Sequence, residues 1–495
     1  MSRTKVSLAR RSNQRVRADP SRVVTQLFVP GQEGFDQQES RTTVVLARVL
    51  ALDDGEAKEA YDDVVARFVG RHRHLERTFS RHADALSDRL NPEWIVSPNR
   101  RLLIGATFTS EYAIEGAALC NPSMVLHPDQ SGVPLGSVRF AMSVRGIGEG
   151  HRSSIGFRTG IIDLNGEICF DAAPAYASSG HHASATMDAS VFKGELRRLR
   201  GGGGDADYVF RSLGARFTEA ELEHRLEQLE RQSATRKQAR RVIDIIRDIA
   251  KRTYATSFDA DAPLSERVLL PAMEAESHGM EDARFVRFVE EDGEVTYYAT
   301  YTAYNGADIG QQLLMTSDFC NFTSSPIVGS AAANKGLALF PRRIGGRFAA
   351  LSRSDRESNT IAYSRDVRHW EESFRCQTPT RAWEVLQLGN CGSPIETGAG
   401  WLVLTHGVGP MRTYNIGAIL LDLEDPTRII GSLREPLLSP LPAEQDGYVP
   451  NVVYSCGAMA HDGILVLPYG ISDSSIGVAT VPMDELLGTL VTDNG

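Results

Sequence analysis

The chain is poor in cysteine: six in 495 residues, none of them in a C-x-x-C pair. Cys120, Cys169, Cys320, Cys376, Cys391 and Cys456 are scattered, which argues against a disulfide framework and a zinc knot and leaves reduced, mostly buried thiols. No apolar run reaches the roughly 18 residues that a membrane span needs. Residues 1–23 are basic but lack the apolar stretch of a secretory leader, so a cytoplasmic protein with no membrane partner is the expectation. H-E-x-x-H, G-x-G-x-x-G and G-x-S-x-G motifs are missing, which leaves metal proteolysis, hydride transfer and serine-esterase chemistry without support. The glycine run Gly201-Gly202-Gly203-Gly204 lacks the Gly-Lys-Ser/Thr ending of a phosphate loop and reads as a linker.

Basic charge is also in deficit, with 53 Lys and Arg against 63 Asp and Glu and a net charge of −10. That balance disfavours general nucleic-acid affinity. A local exception is Arg3, Lys5, Arg10, Arg11, Arg15, Arg17 and Arg22 set against Asp19 alone, which reads as a flexible arm or a subunit contact.

What the chain does have is length for a large core and a repeating pattern. Downstream of residue 130 an apolar strand, a polar turn and a second strand recur, the second strand often leading to an Asp-bearing turn. The copies are 139–143 with 154–157, 297–301 with 312–315 and Asp318, and 347–351 with 360–363 and Asp366. Two more are 401–405 with 416–419 and Asp422, and 464–467 with 476–479 and Asp484. Four of the five begin 50 to 63 residues apart, a period in the range of propeller blades. The pattern predicts a mainly β chain: a five-bladed β-propeller with N-terminal helices and a helical insertion.

The expected divisions are a basic flexible arm over 1–23, an N-terminal helical extension over 24–100, a first propeller part over 101–191, a helical insertion over 192–257 and the propeller remainder over 258–495. In the extension, Ala60, Val64, Val65, Phe68, Leu75, Phe79, Leu86 and Leu90 recur at helical steps. His72, His74 and His82 lie there without acidic or cysteine partners at ligand spacing, so no metal site is expected. In the insertion, Thr218 and Glu221 have capping-box spacing, and Leu222, Leu226, Leu229, Val242, Ile245, Ile246 and Ile249 follow helical intervals.

Several strand ends and turns carry residues that a fold does not require. Glu281-Asp282-Ala283-Arg284 sets two acids and a guanidinium before the strand-like 285–288. Asn334-Lys335, Arg353, His406 and Asp473 stand at turns of later repeats, and Asn121-Pro122 and Arg145 in the first. Singly, each has a structural reading: an ion pair at a strand entrance, a surface cation, a hydrogen-bonding histidine. Together they form a ring suited to a polar, hydroxyl-rich, partly anionic ligand.

From about residue 118 onward the chain resembles glycoside hydrolase family 130, five-bladed propellers that cleave β-mannosides by phosphorolysis or hydrolysis. The matching segments are 120–123 (Cys-Asn-Pro-Ser), 279–284 (Gly-Met-Glu-Asp-Ala-Arg), 300–304, 339–341 with 351–353, 400–407, 420–426 and 449–453. The resemblance implies inversion, with Asp282 as general acid and phosphate or water attacking the opposite face of the anomeric carbon. It implies that Asn121, Arg145 and Asp473 hold the mannosyl unit, with Glu281, Arg284 and Tyr304 as further substrate contacts. Lys335, Arg353 and His406 match the phosphate cradle of the phosphorylases. No cofactor is implied, inorganic phosphate being a co-substrate in the phosphorylases.

The chain departs from the family at Ala283, usually proline, and at Glu396. The segment that commonly reads Pro-Pro-Ile-Lys-Thr in the phosphorylases reads Ser393-Pro394-Ile395-Glu396-Thr397. An anion there would repel phosphate and could serve as base for water. Hydrolysis of β-mannosides, β-1,2-linked manno-oligosaccharides among them, is therefore the expectation, with Glu396 as base. The alternative is a phosphorylase releasing mannose 1-phosphate. The expected partner is the manno-oligosaccharide itself, with a homo-oligomer as a further expectation.

Overall fold

A computed structural model of the chain describes residues 8–30, 41–90, 94–198, 203–232 and 237–492. Arg3 and Lys5 of the basic arm and Gly201 and Gly202 of the glycine run lie outside the described residues.

Short strands with buried, β-branched and aromatic faces pair antiparallel with their sequence neighbours, so the chain is mainly β. The strands fall into five successive units. The first runs Ala118–Leu126, Val138–Ile147, Ser153–Ile162 and Ile168–Phe170. The second runs Gly279–Val289, Val295–Tyr304, Ile309–Thr316 and Asn321–Pro326. Ala338–Leu339, Phe348–Ser352, Asn359–Ser364 and Glu372–Gln377 form the third. In the fourth, Gln387–Asn390 and Ile395–Thr397 both pair with Gly400–Val408, followed by Tyr414–Leu421 and Ile429–Ser432. In the fifth, Val453–Tyr454 and Met459–His461 pair with Ile464–Ile471, followed by Ser475–Pro482.

The segment just after the first strand of the fifth unit lies beside the first strand of the first unit, joined by a parallel bridge between Ser123 and Gly457 and by the Cys456 amide donating to the Pro122 carbonyl at 2.8 Å. Apolar clusters fill the spaces between successive units; one runs from Leu402 and Ile416 to Leu467 and Val481. The recurring Asp residues have a local cause. Asp318 accepts from the amides of Cys320 and Asn321, and Asp422 from those of Glu424 and Asp425, closing the turn that leads to the last strand of each unit.

Over its described residues the expected flexible arm is corrected by the structure. Arg10–Arg17 is a strand paired antiparallel with Ser475–Pro482, completing the fifth unit. The open edge of Ser475–Pro482 supplies its backbone partners, and buried Glu444 pairs with Arg11 and Arg15 at 3.2 and 3.1 Å, while Arg10 and Arg17 stay exposed.

Helices Arg41–Ala51, Asp54–Phe68, Leu75–Asp84 and Pro98–Thr107 make up the N-terminal helical part, the last crossing the expected boundary at residue 101. A capping box between Asp53 and Glu56 starts the second. Gly105 lets the last two cross closely, since a Cβ there would fall 1.8 Å from the Phe79 carbonyl oxygen. Arg73 and Arg77 tie these helices to Glu266 and Asp259 at 2.9 and 2.6 Å.

Four more helices, Ala189–Arg198, Gly204–Arg211, Glu219–Gln232 and Lys237–Lys251, share one apolar cluster that includes Leu222, Leu226, Val242 and Ile246. The Thr218 amide donates to Glu221 at 2.8 Å, and the Glu221 amide donates back to Thr218 Oγ1 at 3.3 Å. The insertion ends earlier than expected. Tyr254–Ser257 is a strand between Asn321–Pro326 and His181–Ser184, extending the sheet of the second unit.

Candidate active site

Two β-bulges build the centre of the site. In the first unit the pairing steps from Cys120 opposite Arg145 to Ser123 opposite Ser143. In the second it steps from Glu281 opposite Thr302 to Arg284 opposite Thr300. Each bulge inserts one extra residue and re-aims its side chains. Asn121 and Asp282 occupy the same place in the two bulges, with φ of 49° and 56°. A left-handed backbone at a non-glycine residue costs about 1 kcal/mol or more and is tolerated best by Asn and Asp. Here it aims the two side chains at each other: Asn121 Nδ2 donates to Asp282 Oδ1. The bulges are also joined through Ser123 Oγ, which accepts from the Phe285 amide at 3.0 Å.

Arg145 enters from the neighbouring strand, its Nη1 at 3.3 Å from Asp282 Oδ1 and its Nη2 at 2.5 Å from Glu281 Oε1. Glu281 Oε2 faces Lys335 Nζ at 4.0 Å. Asp282 Oδ2 has no partner among the described residues. Burial pushes the Asp282 carboxyl up, but Arg145, Lys335 and Arg284 outweigh it and hold it down at about 2. Asp473 sits in the turn joining Ile464–Ile471 to Ser475–Pro482, where Ser472 and Asp473 have φ of 46° and 50°. Burial pushes its carboxyl up to about 6, Arg145 opposing and Asp282 adding to the rise. The cluster thus holds one carboxylate kept ionised by cations and another that titrates near neutrality.

Beside Asp282 a small cavity is lined by Arg284, Lys335, Gly336, Arg353, Asn390, His406 and Tyr454. Arg284 Nη1 donates to the Asp282 carbonyl at 2.9 Å and its Nη2 to Tyr454 Oη at 2.7 Å. Arg353 Nη1 meets His406 Nε2 at 3.0 Å, and His406 Nδ1 meets the Asn390 carbonyl at 3.1 Å. A carbonyl only accepts and a guanidinium only donates, so Nδ1 carries the proton and Nε2 is bare. Burial, then Arg353, holds the His406 pKa well below its ordinary value. His406 is therefore neutral, which corrects its expected role as a cation in a phosphate cradle: it orients the Arg353 guanidinium instead. The buried Nε atoms of Arg145, Arg284 and Arg353 have no partner among the described residues. A pocket with three cations and unmet donors favours an anion.

Glu396 is also corrected. It lies opposite Trp401 near the start of Gly400–Val408, whereas His406 stands near the other end of that strand, opposite Gly389. Five residues of strand separate the two levels by about 17 Å. Arg342 grips Glu396 with two hydrogen bonds, at 2.9 and 2.6 Å, while its guanidinium lies over the Trp401 ring. Glu396 cannot act on a water beside Asp282.

Tyr304 lies opposite Gly279 on the strand next to Asp282, with its hydroxyl on the Gly306 carbonyl at 2.9 Å and its ring against His278. Nothing brings it into contact with Asp282. Sequence reasoning missed Asn390 and Tyr454, which end the first strands of the fourth and fifth units, Gln387–Asn390 and Val453–Tyr454. Comparing all five first strands with the Asn121 bulge was the available signal. Among the described residues no group of three or more His, Cys, Asp and Glu side chains could hold a metal ion, and no helix is long and apolar enough to cross a membrane.

A family model described as β-1,4-mannooligosaccharide phosphorylase matches residues 249–492. A 1,2-β-oligomannan phosphorylase of Thermoanaerobacter is 34% identical over 249 residues, spanning 48% of this chain and 80% of the relative. A β-1,4-mannooligosaccharide phosphorylase of Ruminococcus albus is 32% identical over 166 residues, 31% of this chain and 50% of the relative. Among solved structures, a β-1,2-mannobiose phosphorylase from Listeria innocua aligns over 77% of this chain and 93% of its own, with 22% identity and a TM-score of 0.45.

Proposed function

Because the chain belongs to glycoside hydrolase family 130 and is thus a glycoside-cleaving enzyme, we propose that it is a β-mannoside phosphorylase. In this reading its five antiparallel units are the blades of a propeller, and the site lies where Asn121, Asp282, Arg353 and Asp473 converge. The observation that carries the reading is the cavity beside Asp282, with Arg284, Lys335 and Arg353 on its walls and Glu396 held at the far end of its strand, opposite Trp401.

Phosphate seats against the three cations and attacks the anomeric carbon of a mannosyl unit held by Asn121, Arg145 and Asp473. The bond from that carbon to phosphate oxygen forms as the glycosidic bond breaks on the other face. Asp282 supplies the proton that the leaving oxygen takes, through Oδ2. An arriving phosphate offsets the positive charge of Lys335 and Arg284, and the carboxyl then holds a proton more readily. Phosphate is a co-substrate and no cofactor takes part.

The 34% identical relative acts, by its name, on 1,2-β-oligomannan, which makes β-1,2-linked manno-oligosaccharides the first substrates to try and β-1,4-linked ones the second. Each is incubated with and without inorganic phosphate. The reading expects turnover only with phosphate; equal release of free mannose without it would sink the proposal.

A further inference from the structure

Glu444 lies between the N-terminal strand and the turn that carries Asp473. Its side chain is buried, with 4% exposure. Oε1 accepts from Arg11 Nε at 3.3 Å, Arg15 Nη2 at 3.1 Å and Tyr469 Oη at 2.8 Å, while Oε2 takes the Leu441 amide at 3.2 Å. Its carbonyl oxygen accepts from Ser472 Oγ at 2.7 Å. Ser472 is fully buried, and its backbone is held as well: its amide donates to the Val452 carbonyl at 2.8 Å and its carbonyl accepts from the Val449 amide at 3.1 Å. Gly447 permits that approach, since a Cβ there would come within 2.3 Å of the Ser472 carbonyl oxygen. On the other side, Arg17 pairs with Ser475, two residues past Asp473.

Two successive left-handed residues are a strained arrangement that persists only when the surroundings over-determine it. Here the surroundings are the 444–452 segment, which Arg11 and Arg15 anchor through Glu444. Both arginines lie outside the span matched by the family model, residues 249–492.

We propose that Glu444 is a positioning residue for Asp473, and that the N-terminal strand Arg10–Arg17 acts through it on the sugar-holding half of the site. The inference rests on the reading in which Asp473 contacts the mannosyl unit. Loosening the Glu444 link lets the Asp473 turn relax, so sugar binding suffers while the cavity of Lys335 and Arg353, on other units, keeps its affinity for phosphate.

The test is steady-state kinetics of the full chain with Glu444→Gln, Arg11→Ala/Arg15→Ala and Ser472→Ala, followed separately in mannoside and in phosphate. Ser472→Ala removes only the hydroxyl donor and guards against misfolding of the other two. Each variant should raise KM for mannoside about fivefold to tenfold, the effect of losing one buried hydrogen bond, with KM for phosphate within twofold. Restoring both cations with Arg11→Lys/Arg15→Lys should recover most of the loss. A lowered melting temperature with both KM values unchanged, or both KM values rising together, would overturn the proposal and leave Glu444 a structural staple. Asp473→Asn serves as the control: if it leaves KM for mannoside unchanged, the sugar-binding reading of Asp473 fails first. If it raises KM and the Glu444 and Ser472 variants do not, the positioning role alone fails.

Discussion

Replacing Lys335 by methionine removes one of three cations from the proposed phosphate cavity without emptying the space of its stem. Lys335 Nζ lies 4.0 Å from Glu281 Oε2, and its side chain is 41% exposed. Two unit charges at that separation interact by about 4 kcal/mol near a protein surface and by about 1 kcal/mol in water. With two-fifths of the side chain in solvent, about 2 kcal/mol is the working figure for a phosphate oxygen at a similar distance, or about 30-fold in affinity. Removing the cation also leaves Glu281 to Arg145 alone, which adds repulsion of the same sign. Mannose 1-phosphate formation measured against phosphate concentration should therefore show KM for phosphate up about 30-fold, with KM for mannoside within about twofold. Unchanged phosphate affinity would refute the assignment of the cavity, and an equal rise in both KM values would refute the separation of the two subsites.

Asp282→Asn should lower turnover by about 10²- to 10⁴-fold, the worth of a positioned proton donor, in cleavage and in the reverse synthetic direction alike. For Glu396→Gln, an exposed pair with Arg342 worth at most about 1 kcal/mol, less than a twofold change in turnover and a small shift in melting temperature are expected; a large fall in turnover would restore Glu396 as a catalytic candidate. Asp473, pushed up to about 6 by burial, should give kcat/KM for mannoside a limb that rises with pH through about 6, lost in Asp473→Asn. Its folded pKa lies above the ordinary 3.8, so the folded state binds the proton more tightly. Stability should accordingly fall as pH rises from about 4 to about 6, and a melting series over that window checks the sign.

The local parts of this structure were legible in the chain. Strand, turn and strand recur because each unit buries apolar strands against its neighbours, Gly400–Val408 along its whole length, and Asp318, Asp366 and Asp422 return because a short acidic side chain closes the same kind of turn. The helix beginning at Glu219 announced itself through Thr218 and Glu221. At the site, Asp282 was legible as a residue, but its ionisation was not, because that depends on Arg145 and Lys335 arriving from other units. Arg10–Arg17 looked like a free basic arm for the same reason: its backbone partner is Ser475–Pro482, more than 400 residues away in sequence. Glu396 failed differently. Motif alignment identified the position but carried no information about which end of its strand faces the acid, and pairing with Trp401 rather than near His406 decides that. His406 likewise could be placed at a strand end, while its proton had to be read from the Asn390 carbonyl on one nitrogen and Arg353 on the other.

The central claim is that phosphate in the cavity beside Asp282, and not water, takes the mannosyl group with inversion. It is tested most directly by following β-1,2-mannobiose with inorganic phosphate in ¹⁸O-water by NMR and mass spectrometry from the first turnovers. The account predicts α-mannose 1-phosphate as the initial product, with no solvent oxygen on its anomeric carbon and no reaction when phosphate is withheld. Free mannose carrying ¹⁸O at that carbon, formed at the same rate without phosphate, would contradict it.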